Sequence, residues 1–342
     1  MGLLNRAEAR GCAKIPLMNT LQTLDELYHP VLDVLDDVRG LINQVWEDAL
    51  RLVRIDMGPL PKAGGKLLRP ALCLLSAGAI GGQNLRQYAR LGAAFEALHI
   101  ASLAHDDVID RALLRRGNSS LNALWDNHAA VLGGDYLVAR AVNMLAAYDS
   151  CPVIDNAITS VRRMAEGELL FFGRGFDSIT CEECVQLAEQ KTASLFAEAC
   201  SAPTYIVDAS YREALYRFGT ALGIAFQLTD DLLDVTQSTA NLGKPACGDI
   251  AEGKITVPII LLREALEGED LVHFEGLRGT ELSSEDREWI TGQVERTGAG
   301  QRAEAEARRY AGEALTWAGR LPKGVYRDSM EGIAEFVVSR SA

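Results

Sequence analysis

Residues 95–117, FEALHIASLAHDDVIDRALLRRG, place Asp106, Asp107 and Asp110 in the pattern DDxxD within a largely apolar run. No glycine or proline interrupts the run before Gly117, so the sequence predicts a helix over the whole stretch. On a helix, Asp106 and Asp110 stack one turn apart on one face, where their charges repel. A cation between them removes that repulsion. Carboxylate oxygens at this spacing suit Mg²⁺, which keeps several waters and shares its coordination shell with substrate phosphates.

Basic side chains flank these acids. Arg115 and Arg116 follow them, and guanidinium groups fork phosphate oxygens. His99 precedes Asp106 by seven residues and lies on the same helical face. Acid, metal and base together predict a diphosphate site, although DD and RR pairs also occur on ordinary solvated helix faces.

A second copy of the pattern argues against the solvated-face alternative. Residues 223–234, GIAFQLTDDLLD, align without a gap on 99–110, HIASLAHDDVID. The repeat places Asp230, Asp231 and Asp234 at the same spacing, again after an apolar helical run. Two such helices that face each other enclose a cavity with carboxylates on both walls.

Six sequence blocks in a fixed order make the chain resemble the trans-isoprenyl diphosphate synthases, also called polyprenyl synthetases, from about residue 25 onward. The blocks are GGKLLRP (64–70), the first aspartate-rich motif with RRG (115–117), GDYL (134–137), KTASLF (191–196), FQLTDDLLD (226–234) and GKPACGDIAEGKITVP (243–258). The resemblance implies an all-α fold of the isoprenoid synthase type, a single large helical bundle around a central cavity. The low proline content and the abundance of Ala, Leu and Glu also favour helices.

The resemblance further implies which residues bind the substrates. Four basic side chains meet the diphosphate of isopentenyl diphosphate, the homoallylic substrate: Lys66, Arg69, His99 and Arg116. Other groups meet the allylic substrate and its departing pyrophosphate: Arg115, Lys191, Thr192, Gln227, Lys244 and Lys254. The two last lysines belong to the loop 236–258, which we interpret as a lid that excludes water.

Both aspartate clusters are implied to hold Mg²⁺, two or three ions per site, through Asp106, Asp107, Asp110, Asp230, Asp231 and Asp234. The predicted catalytic set is Asp106, Asp110, Asp230, Lys191 and Arg115. Other acids are left outside the site. We interpret Glu166 and Glu168 as solvated helix residues, and an ordinary surface loop is the main alternative for Asp249 and Glu252.

The implied reaction is head-to-tail prenyl transfer. An allylic diphosphate (geranyl, farnesyl or geranylgeranyl) ionises, the double bond of isopentenyl diphosphate attacks the cation, and a proton is lost. Ser102, one turn before Asp106, and its neighbour Ala101 are small, so a growing tail passes them and we predict an all-trans product of about C30–C50. Such a product serves as a quinone side chain. The alternatives are a synthase of farnesyl or geranylgeranyl diphosphate, a class I terpene cyclase, and a non-catalytic subunit of a heteromeric synthase.

Composition restricts the partners and the location. The chain has 342 residues and a formal net charge of −13 without a basic stripe, which argues against nucleic acid. Seven scattered cysteines, an odd number, indicate reduced thiols and a cytoplasmic location. No apolar run reaches the roughly 20 residues that span a bilayer, so the expected membrane contact is peripheral association for product release.

The domain organisation follows from the same observations. Residues 1–20 lack the apolar core of a secretory signal, so we expect a disordered N-terminal extension, with a transit-like segment as the alternative. No linker or low-complexity segment divides the rest, and we predict a single all-helical domain at 21–342. The resemblance implies that two copies form a homodimer.

Overall fold

The computed structural model describes residues 22–52, 65–110, 112, 114–115, 118–174, 179–237 and 246–340. Several predictions fall elsewhere: the N-terminal extension at 1–20, Arg116, Lys244 and the side chain of Arg115 lie outside the described residues.

The described residues are mainly helical, which confirms the predicted all-α fold. The first helices are α1 (Leu24–Tyr28), α2 (Leu32–Leu52), α3 (Leu68–Ala79), α4 (Ala89–Ile109), α5 (Leu121–Leu124), α6 (Asn127–Ala146) and α7 (Cys151–Phe171). The later helices are α8 (Cys181–Ala188), α9 (Ser194–Ser201), α10 (Arg212–Thr236), α11 (Gly248–Ala251), α12 (Val257–Ala265), α13 (Gly268–Leu277), α14 (Ser284–Thr297), α15 (Ala299–Ala318) and α16 (Val325–Ser339). Short 3₁₀ segments span His29–Val31, Leu85–Tyr88, Ala202–Tyr205 and Ala209–Tyr211, and a π turn spans Glu189–Ala193.

The predicted helix over 95–117 is wrong in its last part, because α4 ends at its C-cap, Asp110. The backbone N–H of Ala112 donates to the carbonyl of Asp107 at 2.9 Å, a hydrogen bond of the kind that closes helix C-termini. The chain then forms a short antiparallel pair, β1 (Leu114–Arg115) and β2 (Asn118–Ser119). Helix propensity alone did not reveal where the chain reverses.

Local sequence signals set several helix starts. Ser283 caps α14 in a capping box with Asp286. Thr180 forms the same type of box with Glu183 at the start of α8. Each cap satisfies backbone N–H groups that have no partner inside the helix.

Helices α4 and α10 form the centre of the bundle. α4 packs against α2, α3 and α6, and α10 packs against α9, α15 and α16. α10 approaches α9 and the π turn closely because two positions lack side chains. A Cβ on Gly219 would lie 2.7 Å from Ala197 Cα, and one on Gly223 would lie 2.5 Å from Ala193 Cα. Of the helices in the described ranges, none combines the length and the apolar character needed to cross a bilayer.

Candidate active site

A cavity of about 540 Å³ lies between the two aspartate-bearing helices, α4 and α10. Five predicted metal ligands line it: Asp106, Asp110, Asp230, Asp231 and Asp234. The two clusters therefore share one space and do not point into separate regions of solvent. This is the arrangement that the repeated sequence pattern predicts.

Asp107, the sixth predicted ligand, does not line this cavity. Neighbouring helical side chains point roughly 100° apart, and Asp107 is only 4% exposed. Its backbone carbonyl accepts hydrogen bonds from the N–H of Ala112 at 2.9 Å and from the side-chain amide of Asn122 at 3.3 Å. Asp107 is thus placed to support the end of α4.

Two lysines accompany the carboxylates of the first cluster. The ammonium of Lys191 lies 3.4 Å from Asp106 Oδ2 and also contacts Glu168. The ammonium of Lys254 donates to Asp110 Oδ2 at 2.9 Å. Burial raises the pKa of the Asp106 carboxyl; the Lys191 ammonium opposes this effect, whereas Glu168 and Asp110 add to it. The first wall therefore alternates negative and positive groups.

The second wall is built around Asp230 and Asp231. Arg340, the C-cap residue of α16, donates to Asp230 Oδ1 at 2.8 Å. The side-chain amide of Gln227 donates to Asp231 Oδ1 at 2.7 Å, and its oxygen accepts from the Thr192 hydroxyl at 2.7 Å. This chain of hydrogen bonds connects the predicted allylic-site residues Thr192 and Gln227 directly to the second cluster.

Asp249 adds another carboxyl to the second wall. Burial raises the pKa of the Asp231 carboxyl well above its ordinary value, and repulsion from Asp249 raises it further. Asp234 Oδ2 accepts from the backbone N–H of Asp249 at 3.0 Å, and the Asp234 carbonyl accepts from the N–H of Cys247 at 2.7 Å. Asp234 thereby fastens α11 to α10, and with it the segment that leads to Lys254.

The three described residues predicted to meet isopentenyl diphosphate, Lys66, Arg69 and His99, line the same cavity. The Arg69 guanidinium lies 4.3 Å from the ring centroid of Phe196, and the Lys66 ammonium lies 5.7 Å from that of Phe336. A cation over an aromatic face is attracted by the ring quadrupole. The two cations therefore have defined positions before any anion binds.

The apolar part of the cavity includes Leu103 on α4 and Met164 on α7. Ser102 also lines it, and its hydroxyl donates to the His99 carbonyl at 2.8 Å. Ala101 is not among the lining residues and is only 1% exposed. Of the two predicted chain-length residues, the structure brings Ser102 to the cavity and leaves Ala101 in the packed core.

Sequence patterns did not identify several charged residues of the site, among them Arg340, Glu168 and Asp249. Arg340 directly follows the last helix, and no neighbouring residue marks it as functional. Glu168 was interpreted as solvated, yet it contacts Lys191. Asp249 lines the cavity although a surface loop was its main alternative. Its position between two predicted substrate-binding lysines was the one available signal for Asp249.

The donor chemistry of the cavity fits a divalent cation. Carboxylate oxygens stand on both walls, and hard divalent ions prefer oxygen ligands. The raised pKa values of Asp106 and Asp231 mark carboxyls that additional positive charge would stabilise as anions. Within the described ranges, no three His, Cys, Asp or Glu side chains are close enough together to form a metal site by themselves.

Comparison with known proteins assigns the chain to a family. The polyprenyl synthetase model matches residues 57–287, more than half of the sequence. The chain belongs to the polyprenyl synthetase family. It is therefore a trans-prenyltransferase that joins an allylic diphosphate to isopentenyl diphosphate and uses divalent metal ions. The family and the enzyme class predicted from the sequence are confirmed.

Individual relatives of this polyprenyl synthetase agree with the assignment. The all-trans-nonaprenyl-diphosphate synthase (geranyl-diphosphate specific) of Rhodobacter capsulatus is 34% identical over 319 residues, 92% of this chain and 97% of the relative. Heptaprenyl diphosphate synthase component 2 of Bacillus subtilis is 31% identical over 284 residues, 82% of this chain and 80% of the relative. The crystal structure of polyprenyl synthase from Caulobacter crescentus, complexed with calcium and isoprenyl diphosphate, superposes with a TM-score of 0.87 at 32% identity and covers 95% of this chain and 100% of that one.

Proposed function

We propose that this polyprenyl synthetase builds a long-chain all-trans polyprenyl diphosphate of about C30–C50 for a quinone side chain, with Mg²⁺ as its divalent ion. The observation that carries the proposal is the shared cavity, which is lined both by the two carboxylate clusters and by Ser102, Leu103 and Met164. The names of the nonaprenyl and heptaprenyl relatives support a long product.

In this proposal isopentenyl diphosphate binds against Lys66, Arg69 and His99, and Arg116 completes the set. The first three line the cavity, and the two cations among them are each held over an aromatic ring. Arg69 is 8% exposed, so its interaction with a diphosphate is screened little by solvent.

The allylic diphosphate binds, in this proposal, between the aspartate clusters. The groups that meet it are Arg115, Lys191, Thr192, Gln227, Lys244 and Lys254, and the ions are held by the aspartates of both walls. Bound Mg²⁺ supplies Lewis-acid stabilisation of the departing pyrophosphate. Lys191 and Lys254 add fixed positive charge, and loss of one preorganised group of this kind costs roughly 3–4 kcal/mol of transition-state stabilisation.

The proposed reaction balances within the bound substrates. The carbon–oxygen bond of the allylic diphosphate breaks and its electron pair leaves with the pyrophosphate. The double bond of isopentenyl diphosphate supplies the electron pair of the new carbon–carbon bond and leaves a cation. The released pyrophosphate takes a proton from the carbon next to that cation, and the electrons of the broken carbon–hydrogen bond form the new double bond. The chain's own residues hold both diphosphates in position and keep water away from the cation. Because the released pyrophosphate accepts the proton, no dedicated protein base is required.

We further propose a cytoplasmic homodimer that contacts membranes peripherally when it releases product. Leu132 on α6 is 66% exposed and Leu124 on α5 is 43% exposed, and such apolar side chains support contact with a second copy. Leu169 and Phe172, near the end of α7, are 72% and 85% exposed and support contact with lipid.

The test is to incubate the purified chain with farnesyl diphosphate, isopentenyl diphosphate and Mg²⁺ and to size the lipid product. We expect products longer than about C20, and none in the presence of EDTA. Shorter products would make the chain a short-chain synthase. Turnover that requires a second protein would make it a subunit of a heteromeric synthase, and product formed without isopentenyl diphosphate would indicate a terpene cyclase.

A further inference from the structure

The π turn Glu189–Ala193 interrupts the helical segment between α8 and α9, and it carries Lys191 and Thr192. Such turns insert one extra residue into a helix and are frequent at functional sites. Lys191 reaches Asp106 on α4, and Thr192 donates to Gln227 on α10. The turn therefore presents one side chain to each of the two aspartate-bearing helices.

A guanidinium outside the cavity holds the first residue of this turn. Arg163, on α7, donates from Nη2 to Glu189 Oε1 at 3.0 Å and from Nη1 to the hydroxyl of Tyr216, on α10, at 2.7 Å. None of these three residues lines the cavity. The planar fork of Arg163 thus connects the turn to α7 and to α10 without touching the substrate space.

Close packing holds the rest of the turn. A Cβ on Gly167, in α7, would lie 3.0 Å from Gln190 Cβ, and one on Gly223, in α10, would lie 2.5 Å from Ala193 Cα. The Ser194 hydroxyl donates to the Gln190 carbonyl at 2.6 Å. The turn therefore occupies a narrow space between two helices, and the ion pair at Glu189 sets its position along that space.

We propose that Arg163 and Glu189 are positioning residues that fix the π turn and so set the places of Lys191 and Thr192. If the turn relaxed to α-helical hydrogen bonding, the side chains after it would rotate by roughly 100° relative to those before it. That rotation would separate Thr192 from Gln227. The inference rests on the proposed function, in which Lys191 and Thr192 meet the allylic diphosphate.

The test is steady-state kinetics of Glu189→Ala with farnesyl diphosphate and isopentenyl diphosphate varied in turn. Misplacement of the turn by a fraction of an ångström is expected to raise the KM for farnesyl diphosphate at least about fivefold, because binding geometry is lost at one substrate only. The KM for isopentenyl diphosphate stays within about twofold. Arg163→Lys, whose single ammonium cannot fork both partners, gives an intermediate effect.

The matched control is Glu213→Ala, which removes an exposed ion pair with Arg217 at 3.2 Å on α10 and leaves both KM values unchanged. Both Ala variants keep thermal midpoints within a few degrees of the wild type, because the Glu213–Arg217 pair is exposed and the Glu189–Arg163 pair is still partly accessible to solvent, and such pairs contribute little stability. In a Lys191→Ala background, Glu189→Ala has almost no further effect on farnesyl diphosphate. Equal rises in both KM values, or full additivity with Lys191→Ala, would overturn the inference. An inactive wild type would instead overturn the proposed function.

Discussion

At the scale of single residues, the neighbours Ser102 and Ala101 are expected to have different roles. Ser102 is expected to affect product length, and Ala101 is expected to affect only the packing of the core. Ser102 lines the cavity, so Ser102→Phe is expected to obstruct the growing tail and shorten the product. Ala101 is 1% exposed and away from the lining, so Ala101→Phe overpacks the core and costs about 1–3 kcal/mol of stability without shortening the product. Product sizing and denaturant titration of both variants check this. Equal shortening by both would show that the tail passes Ala101 as well.

Glu198, on α9, provides a pH-dependent prediction. Burial raises the pKa of its carboxyl from 4.5 to about 7, against the pull of Arg212 and Arg163 and a hydrogen bond from Ser201. Between about pH 4.5 and 7 the folded state keeps a proton that the unfolded state has lost. Stability therefore falls as pH rises through this window, by an amount on the order of 3 kcal/mol.

Glu198→Gln removes this titration. Urea unfolding at pH 5 and pH 8 should show that the wild type loses stability relative to the variant, on the order of 2–3 kcal/mol, as pH rises. Glu47→Gln, at an exposed acid on α2 that is paired with neither Arg163 nor Arg212, serves as the control. A stability difference between wild type and Glu198→Gln that is the same at both pH values would contradict the assignment.

The roles of residues were predictable where a sequence pattern repeats along the chain. They were not predictable where a residue's interaction partner is distant in the sequence. The duplicated DDxxD pattern located five of the lining aspartates. The pair between Arg340 and Asp230 joins residues 110 positions apart, and no local spacing encodes it. For the same reason, Glu168 could not be told from a solvated acid until its partner Lys191 was placed.

At the scale of elements, the close approach of α10 to the π turn depends on Gly223. A Cβ there would lie 2.5 Å from Ala193 Cα, so Gly223→Ala is expected to push the helices apart, destabilise the fold by about 1–3 kcal/mol and weaken farnesyl diphosphate binding. Gly312→Ala, in the interior of α15 with nothing near its Cβ position, should raise stability by up to about 1 kcal/mol. Thermal unfolding of both variants checks this. Equal effects would remove the close-packing argument.

Helices were predictable where a long apolar run has helical periodicity. The sequence predicted helical structure before Asp230, Asp231 and Asp234, and α10 spans Arg212–Thr236. It did not predict the end of α4 or the π turn. Both depend on hydrogen bonds and packing with other elements, which propensity does not contain.

At the scale of the whole molecule, two aspartate-bearing helices lie at the centre of the bundle. The sequence motifs that predicted the family and the enzyme class lie on these helices and on the segments that surround them. Five of the six blocks that carry the resemblance contribute residues to one cavity: Lys66, Arg69, His99, Lys191, Thr192, Gln227 and Lys254 line it together with the aspartates, whereas the described residues of GDYL (134–137) do not. The order of the blocks along the chain was sufficient to predict the family. How close the blocks lie to one another in space could be seen only in the structure.

The central claim is that both clusters hold divalent ions for one diphosphate. Equilibrium dialysis with Mn²⁺ and farnesyl thiodiphosphate, an unreactive allylic probe, tests it most directly. We predict that Asp106→Asn and Asp230→Asn each weaken Mn²⁺ binding at least about tenfold, because each removes a charged oxygen ligand. Asp33→Asn, at an exposed position on α2, leaves binding unchanged. Wild-type Mn²⁺ binding by either Asp106→Asn or Asp230→Asn would contradict the claim.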